Sequence, residues 1–146
     1  LLVVTTVLFS QNGCGEDYAN AYIVIADSSP VYHALKGKMV DLKEKLGIKM
    51  DSLGREYNEN KDLIRLPENH EDELYAGVYY PRRGYTELLS LEYLDYYDPK
   101  LKEKTIGLIV GILNIESEAK KLLVRVKEVS PNAFLLNKNL YIGCMH

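Results

Sequence analysis

The segment TIGLIVGIL at residues 105–113 constrains the fold of this chain more than any other stretch. It carries no charge and is rich in β-branched residues, as a strand buried on both faces requires, and Gly107 and Gly111 mark a bend or a close backbone approach within it. Beyond Leu113 the apolar period lengthens. Asn114 is positioned to cap a helix in which Ile115, Ala119, Leu122, Val126 and Val129 recur at three- and four-residue spacing, while Glu116, Glu118, Lys120, Lys121, Arg125, Lys127 and Glu128 populate mainly the wet face. Ser130-Pro131 ends that helix. Residues 133–144 return as a strand, with Phe134, Leu136, Leu140, Ile142 and Cys144 on one parity and Asn137-Lys138-Asn139 as a bulge or turn.

The same plan occurs near the other end. Tyr22, Ile23, Val24, Ile25 and Ala26 form a short, nearly continuous apolar strand. Asp27-Ser28-Ser29-Pro30 then offers cap hydroxyls and a proline at the first helical position, and Val31, Leu35, Met39, Leu42 and Leu46 trace an apolar stripe that ends at Gly47. Residues 48–53 alternate and complete a first β-α-β unit. Two such units can share one antiparallel sheet with both helices on one face, a ferredoxin-like α+β arrangement. A chain of 146 residues suits one domain, taken as residues 11–146, with units at 21–53 and 104–144 separated by an insertion at 54–103.

Lys104 to Cys144, KTIGLIVGILNIESEAKKLLVRVKEVSPNAFLLNKNLYIGC, resembles the second half of a SPOR (sporulation-related repeat) domain: strand, glycine, turn, Glu/Ala-rich helix, strand. Ala21 to Met50, AYIVIADSSPVYHALKGKMVDLKEKLGIKM, resembles its first half, and together the two stretches cover about half the chain. The resemblance implies a ferredoxin-like fold and binding of peptidoglycan glycan strands on the open face of the sheet. The long segment between the halves departs from that pattern.

Residues 1–9, LLVVTTVLF, form an uncharged apolar run as long as a signal-peptide h-region and too short to span a bilayer. Ser10 suits the last position before cleavage, so Gln11 would begin the mature chain; the competing reading is a buried strand. Gln11-Asn12-Gly13 before Cys14 lacks the residues of a lipobox. Export to the periplasm or cell surface also suits the two cysteines, since a Cys14–Cys144 bridge would close nearly the whole chain. Such a loop gives a nominal entropic stabilisation of about 4–5 kcal/mol before strain. Without CxxC spacing or clustered histidines the pair makes a poor zinc site, and no metal or other cofactor is expected. A net charge of −3 provides no cationic footprint for nucleic acid.

The insertion carries the least ordinary chemistry. Residues 63–67 read as a short edge strand, 68–73 as an acidic loop with His70, and 88–97 as either strand or helix. Twelve tyrosines and no tryptophan make the aromatic surface amphipathic. Tyr79, Tyr80 and Tyr85 with Arg82 and Arg83 are the candidate binding residues, rings stacking on a saccharide and guanidiniums clamping carboxylates; the alternative is that the rings cover a sheet and one arginine pairs with the acidic loop. No nucleophile elbow, zinc-protease, P-loop or dinucleotide motif is present. The expectation is a non-catalytic binding domain for a cell-envelope glycan or a surface protein. The competing function is a small exported hydrolase using carboxylates of the insertion, with Glu92 and Asp95 as acid and base. Asp27 reads as a helix-entry residue rather than a base, and His33 has no recognisable partner in sequence.

Overall fold

The computed structural model of the chain describes residues 18–143; the signal segment at residues 1–10 and both Cys14 and Cys144 lie outside the described residues. Strand β1 (Tyr18–Ser29) contains Ala21, Ile23, Val24, Ile25 and Ala26, all fully buried, and a strand apolar on both faces must be central. It lies between β5 (Ile106–Leu113) and β6 (Phe134–Tyr141), with β4 (Thr86–Tyr93) outside β5. The sheet order is therefore β4-β5-β1-β6, and every neighbouring pair is antiparallel. Two helices, α1 (Tyr32–Leu46) and α2 (Glu116–Lys127), and a two-stranded sheet of β2 (Glu56–Asn58) and β3 (Leu63–Arg65) complete an α+β architecture. Among the described residues no helix is long and apolar enough to cross a membrane.

The core divides by strand parity. Val24, Ala26, Leu108 and Val110 join Leu35, Met39, Leu42 and Leu46 of α1 and Ala119, Leu122 and Val126 of α2 in one cluster. Ala21, Ile23, Ile25, Ile109 and Ile112 belong to a second, with Leu94, Tyr97 and Leu140, against which Tyr85, Leu101, Phe134, Leu136 and Ile142 pack. The parity expected of β6 thus appears in the second cluster. A bulge shifts the β1–β5 register, since Val24 faces Gly111 while Ile25 faces Ile109. Both glycines of β5 are close-approach positions: a Cβ on Gly111 would lie 2.8 Å from Leu122 Cδ2, and one on Gly107 would lie 2.8 Å from Leu94 Cγ.

Several local expectations are corrected. Helix α1 starts after Val31 without a side-chain cap, because β1 continues to Ser29 and holds Asp27, Ser28 and Ser29 in register with Leu108, Gly107 and Ile106. Asp27 instead pairs with Lys38, and Ser29 Oγ accepts the Val31 N–H at 3.0 Å. Val31, assigned to the apolar stripe, is exposed. The residue preceding α2 is Ile115 rather than Asn114, again without a side-chain cap, leaving Glu116 and Glu118 to face the positive end of the helix dipole. Asn137, Lys138 and Asn139 form no bulge; they run opposite Tyr22, Ala21 and Asn20, and the asparagines are exposed as an edge strand allows.

The largest correction concerns residues 48–53, which form no strand. They make one parallel bridge, Met50 to Leu89, before Leu53 and Gly54 adopt left-handed backbone, φ 57° and 75°, and turn the chain away. The place beside β5 goes to β4, from within the stretch read as an insertion. Its ambiguous segment is resolved as strand through Tyr93 followed by a 3-10 turn at Leu94–Tyr96.

Candidate functional site

The segment between α1 and β4 is organised around one carboxylate. Glu92 of β4 has no solvent exposure, and Arg55 closes on it with both terminal nitrogens, Nη1 at 2.7 Å from Oε1 and Nη2 on Oε2. Oε1 also accepts the Tyr79 hydroxyl at 3.1 Å and the Arg82 backbone N–H at 2.8 Å. Tyr97 donates its hydroxyl to the Arg82 carbonyl at 2.8 Å. Burial works against the charge on Arg55, but the bond to Glu92 and its field outweigh it and hold the guanidinium above its ordinary pKa. Burial, then the Glu92 charge, pushes the Tyr79 and Tyr97 hydroxyls well up.

Arg82 is a second buried cation, and burial pulls its pKa down. Its Nη1 donates to the Leu88 carbonyl at 2.5 Å and Ser90 Oγ at 3.1 Å, and Nη2 to the Thr86 carbonyl at 2.6 Å. Its Nε has no partner among the described residues. Arg55 likewise spans the segment through the carbonyls of Ser52 and Tyr80, both at 3.0 Å. The two guanidiniums therefore tie loop backbone to β4.

Beside this hub lies a groove of about 490 Å³. Leu53, Leu66 and Pro81 supply apolar lining, Tyr75 and Tyr80 meet edge to face at 5.2 Å between ring centres, and His70, Arg83, Arg55 and Arg82 add donors. Arg83 stacks over the Tyr141 ring at 5.2 Å. A separate pocket of about 350 Å³ contains Tyr79, Tyr93, Tyr96, Asp95, Glu103 and Lys104 in its lining, and the buried Oδ1 of Asp95 has no partner among the described residues.

Of the residues singled out in the sequence, Tyr80, Arg82 and Arg83 come together at the larger groove. Tyr79 turns its hydroxyl into the hub and lines the smaller pocket, and Tyr85 bonds the Asn20 carbonyl at 3.0 Å while packing on the second core cluster. Glu92 and Asp95, the acid and base of the hydrolase reading, differ in setting: Glu92 is sealed in its ion pair, whereas Asp95 borders the smaller pocket. In the acidic loop, Lys61 at 3.0 Å and Arg65 at 2.6 Å hold the Glu68 carboxyl below its ordinary pKa. No group of three or more His, Cys, Asp or Glu among the described residues is arranged to hold a metal ion. His33 has a partner after all, Glu59 at 2.7 Å.

Arg55 and Tyr75 were not singled out in the sequence. Nothing in Gly54-Arg55-Glu56 distinguishes an arginine that will pair with a carboxylate 37 positions away. Tyr75 sits in a turn, and its ring contacts with Tyr80 and His70, both distant from any sequence motif, go with its place at the groove. Comparison of the chain with protein-family models, with curated proteins and with solved structures found no match.

Proposed function

We propose that this chain is an exported, non-catalytic binding domain that recognises a cell-envelope glycan in the groove bounded by Tyr75, Tyr80 and Arg83. The observation that carries the reading is the joining of two tyrosine rings and an arginine at one groove of about 490 Å³, where apolar and aromatic lining is combined with His70 and arginine donors, as saccharide recognition needs. The order β4-β5-β1-β6, with α1 preceding β4 and α2 joining β5 to β6, supports a ferredoxin-like fold with the β2-β3 hairpin inserted after α1. The shared apolar cluster of α1 and α2 supports helices on one face.

The SPOR resemblance puts a glycan on the open sheet face. In this chain Ile23, Ile25, Ile109 and Ile112 are fully buried, so the proposed site moves to the groove. The sealing of Glu92 favours binding over hydrolysis, since an acid or base must reach the proton it transfers. Titration of purified peptidoglycan strands and other envelope polysaccharides into the protein tests the reading: saturable binding lost in Tyr80→Ala is expected, and no binding to any of them would refute it. Export is supported by the apolar run at residues 1–9 and by the β1–β6 register, in which Tyr18 faces Tyr141, close in sequence to Cys14 and Cys144. Intact mass of the protein from the periplasm or medium, with and without alkylation under non-reducing conditions, should reveal one bridge; two alkylated thiols would contradict it.

A further inference from the structure

We infer that the sugar taken by this groove carries an anionic group, a carboxylate or a phosphate, that docks against Arg83 and His70. The inference rests on the glycan-binding reading and adds the chemical class of the ligand. Its basis is charge complementarity: among the described residues the groove is lined by His70 and three arginines and by no aspartate or glutamate.

Two of the carboxylates near that lining are held by cations, while Glu71, Asp72 and Glu73 are exposed in the loop between His70 and Tyr75. Glu92 is held by Arg55, Glu68 by Lys61 and Arg65, and the Asp72 carboxylate accepts the Leu74 N–H at 3.0 Å. Arg83 forms no ion pair among the described residues. Its guanidinium carbon lies 5.2 Å from the centre of the Tyr141 ring, and a guanidinium edge can bind two oxygens side by side.

His70 brings an imidazole to the lining. Its Nδ1 lies 3.1 Å from the Asp72 N–H and 3.3 Å from the Asp72 carbonyl oxygen, and the ring's tautomer sets which of the two it bonds. Arg82, buried and also in the lining, keeps an Nε donor without an acceptor among the described residues. A neutral sugar satisfies such a donor set through hydroxyls alone; a planar or tetrahedral anion matches its charge as well.

The test titrates the full-length wild-type protein with tetragalacturonate and its methyl ester, with a phosphorylated mannan oligosaccharide and its dephosphorylated form, and with an acidic peptide, beside peptidoglycan strands. At least one anionic sugar should bind about tenfold or more tightly than its neutral twin, and which pair shows the difference separates carboxylate from phosphate. Arg83→Gln should lose that factor, bringing the anionic form to the affinity of its neutral twin in the same variant, while Arg83→Lys recovers part of it. Equal affinity within both pairs, or binding of peptidoglycan strands that Arg83→Gln does not weaken, overturns the anionic inference but spares glycan binding. Binding of the peptide without any sugar, or of nothing at all, overturns both.

Discussion

In β1 the buried side chains are Ala21, Ile23, Val24, Ile25 and Ala26; in residues 49–85 they are Ile64 and three arginines, Arg55, Arg65 and Arg82. The first region is held by removing apolar surface from water, worth about 25 cal/mol per Å² and indifferent to direction. The second is held by hydrogen bonds from guanidiniums to carbonyls and to Glu92, which act only at one geometry. An apolar core tolerates rearrangement among similar volumes. A buried charge does not, and a loop fixed in this way can support a groove without a core of its own.

The comparison breaks most readily at Glu92. Glu92→Gln leaves Arg55 and Arg82 buried without their counter-charge, so urea unfolding should show a loss of about 3–5 kcal/mol. Replacing Arg55 and Glu92 together by methionine should cost less than Glu92→Gln alone, because no unpaired charge is created at that contact. A Glu92→Gln variant as stable as the wild type would mean that packing, not the ion pair, holds the connection.

On the apolar side, Gly107→Ala drives a methyl into Leu94, which is itself 2 % exposed. Overpacking of this kind costs about 1–3 kcal/mol, and the same denaturation curve reads it. Gly37→Ala serves as the contrast, since a Cβ there meets nothing within 4 Å.

A smaller effect separates the regions by pH. Tyr79 and Tyr97 are held protonated above the ordinary tyrosine value of 10.0, chiefly by burial, and Tyr57 is pushed up to about 12 by its bond to Asp62. A raised folded-state pKa means stability that is complete below pH 10 and declines as pH rises through the folded values, because the unfolded chain ionises first. Melting temperature should therefore fall above about pH 10, and Tyr97→Phe should flatten the fall. A decline of equal slope in that variant would remove Tyr97 from the account. Arg83→Gln should change stability least, by under about 0.5 kcal/mol, since Arg83 is partly exposed and forms no ion pair among the described residues.

The same division decides what could be read from the sequence. Residues 105–113 and the Ala119, Leu122, Val126 stripe announce a strand and a helix because apolar burial follows local period, and both appear within one residue of the expected strand and helix starts. For Gly107 and Gly111 the sequence leaves a bend or a close approach open, and the nearness of Leu94 and Leu122 shows the close approach. Residues 48–53 misled because alternation records which side chains avoid water, not whether a neighbouring strand is available; Ile48 is buried without belonging to one. Tyr80, Arg82 and Arg83 could be nominated as a dense aromatic and basic cluster, whereas Arg55 meets Glu92 only through long-range folding.

Chemical-shift mapping tests the groove itself. On addition of the tightest-binding oligosaccharide to isotope-labelled protein, perturbed amides are expected to concentrate at Leu53, Leu66, His70, Tyr75, Tyr80 and Arg83, which line one groove from separate stretches of the chain. Perturbations confined to α1 and α2, or spread along β6 with the groove unmoved, would contradict it.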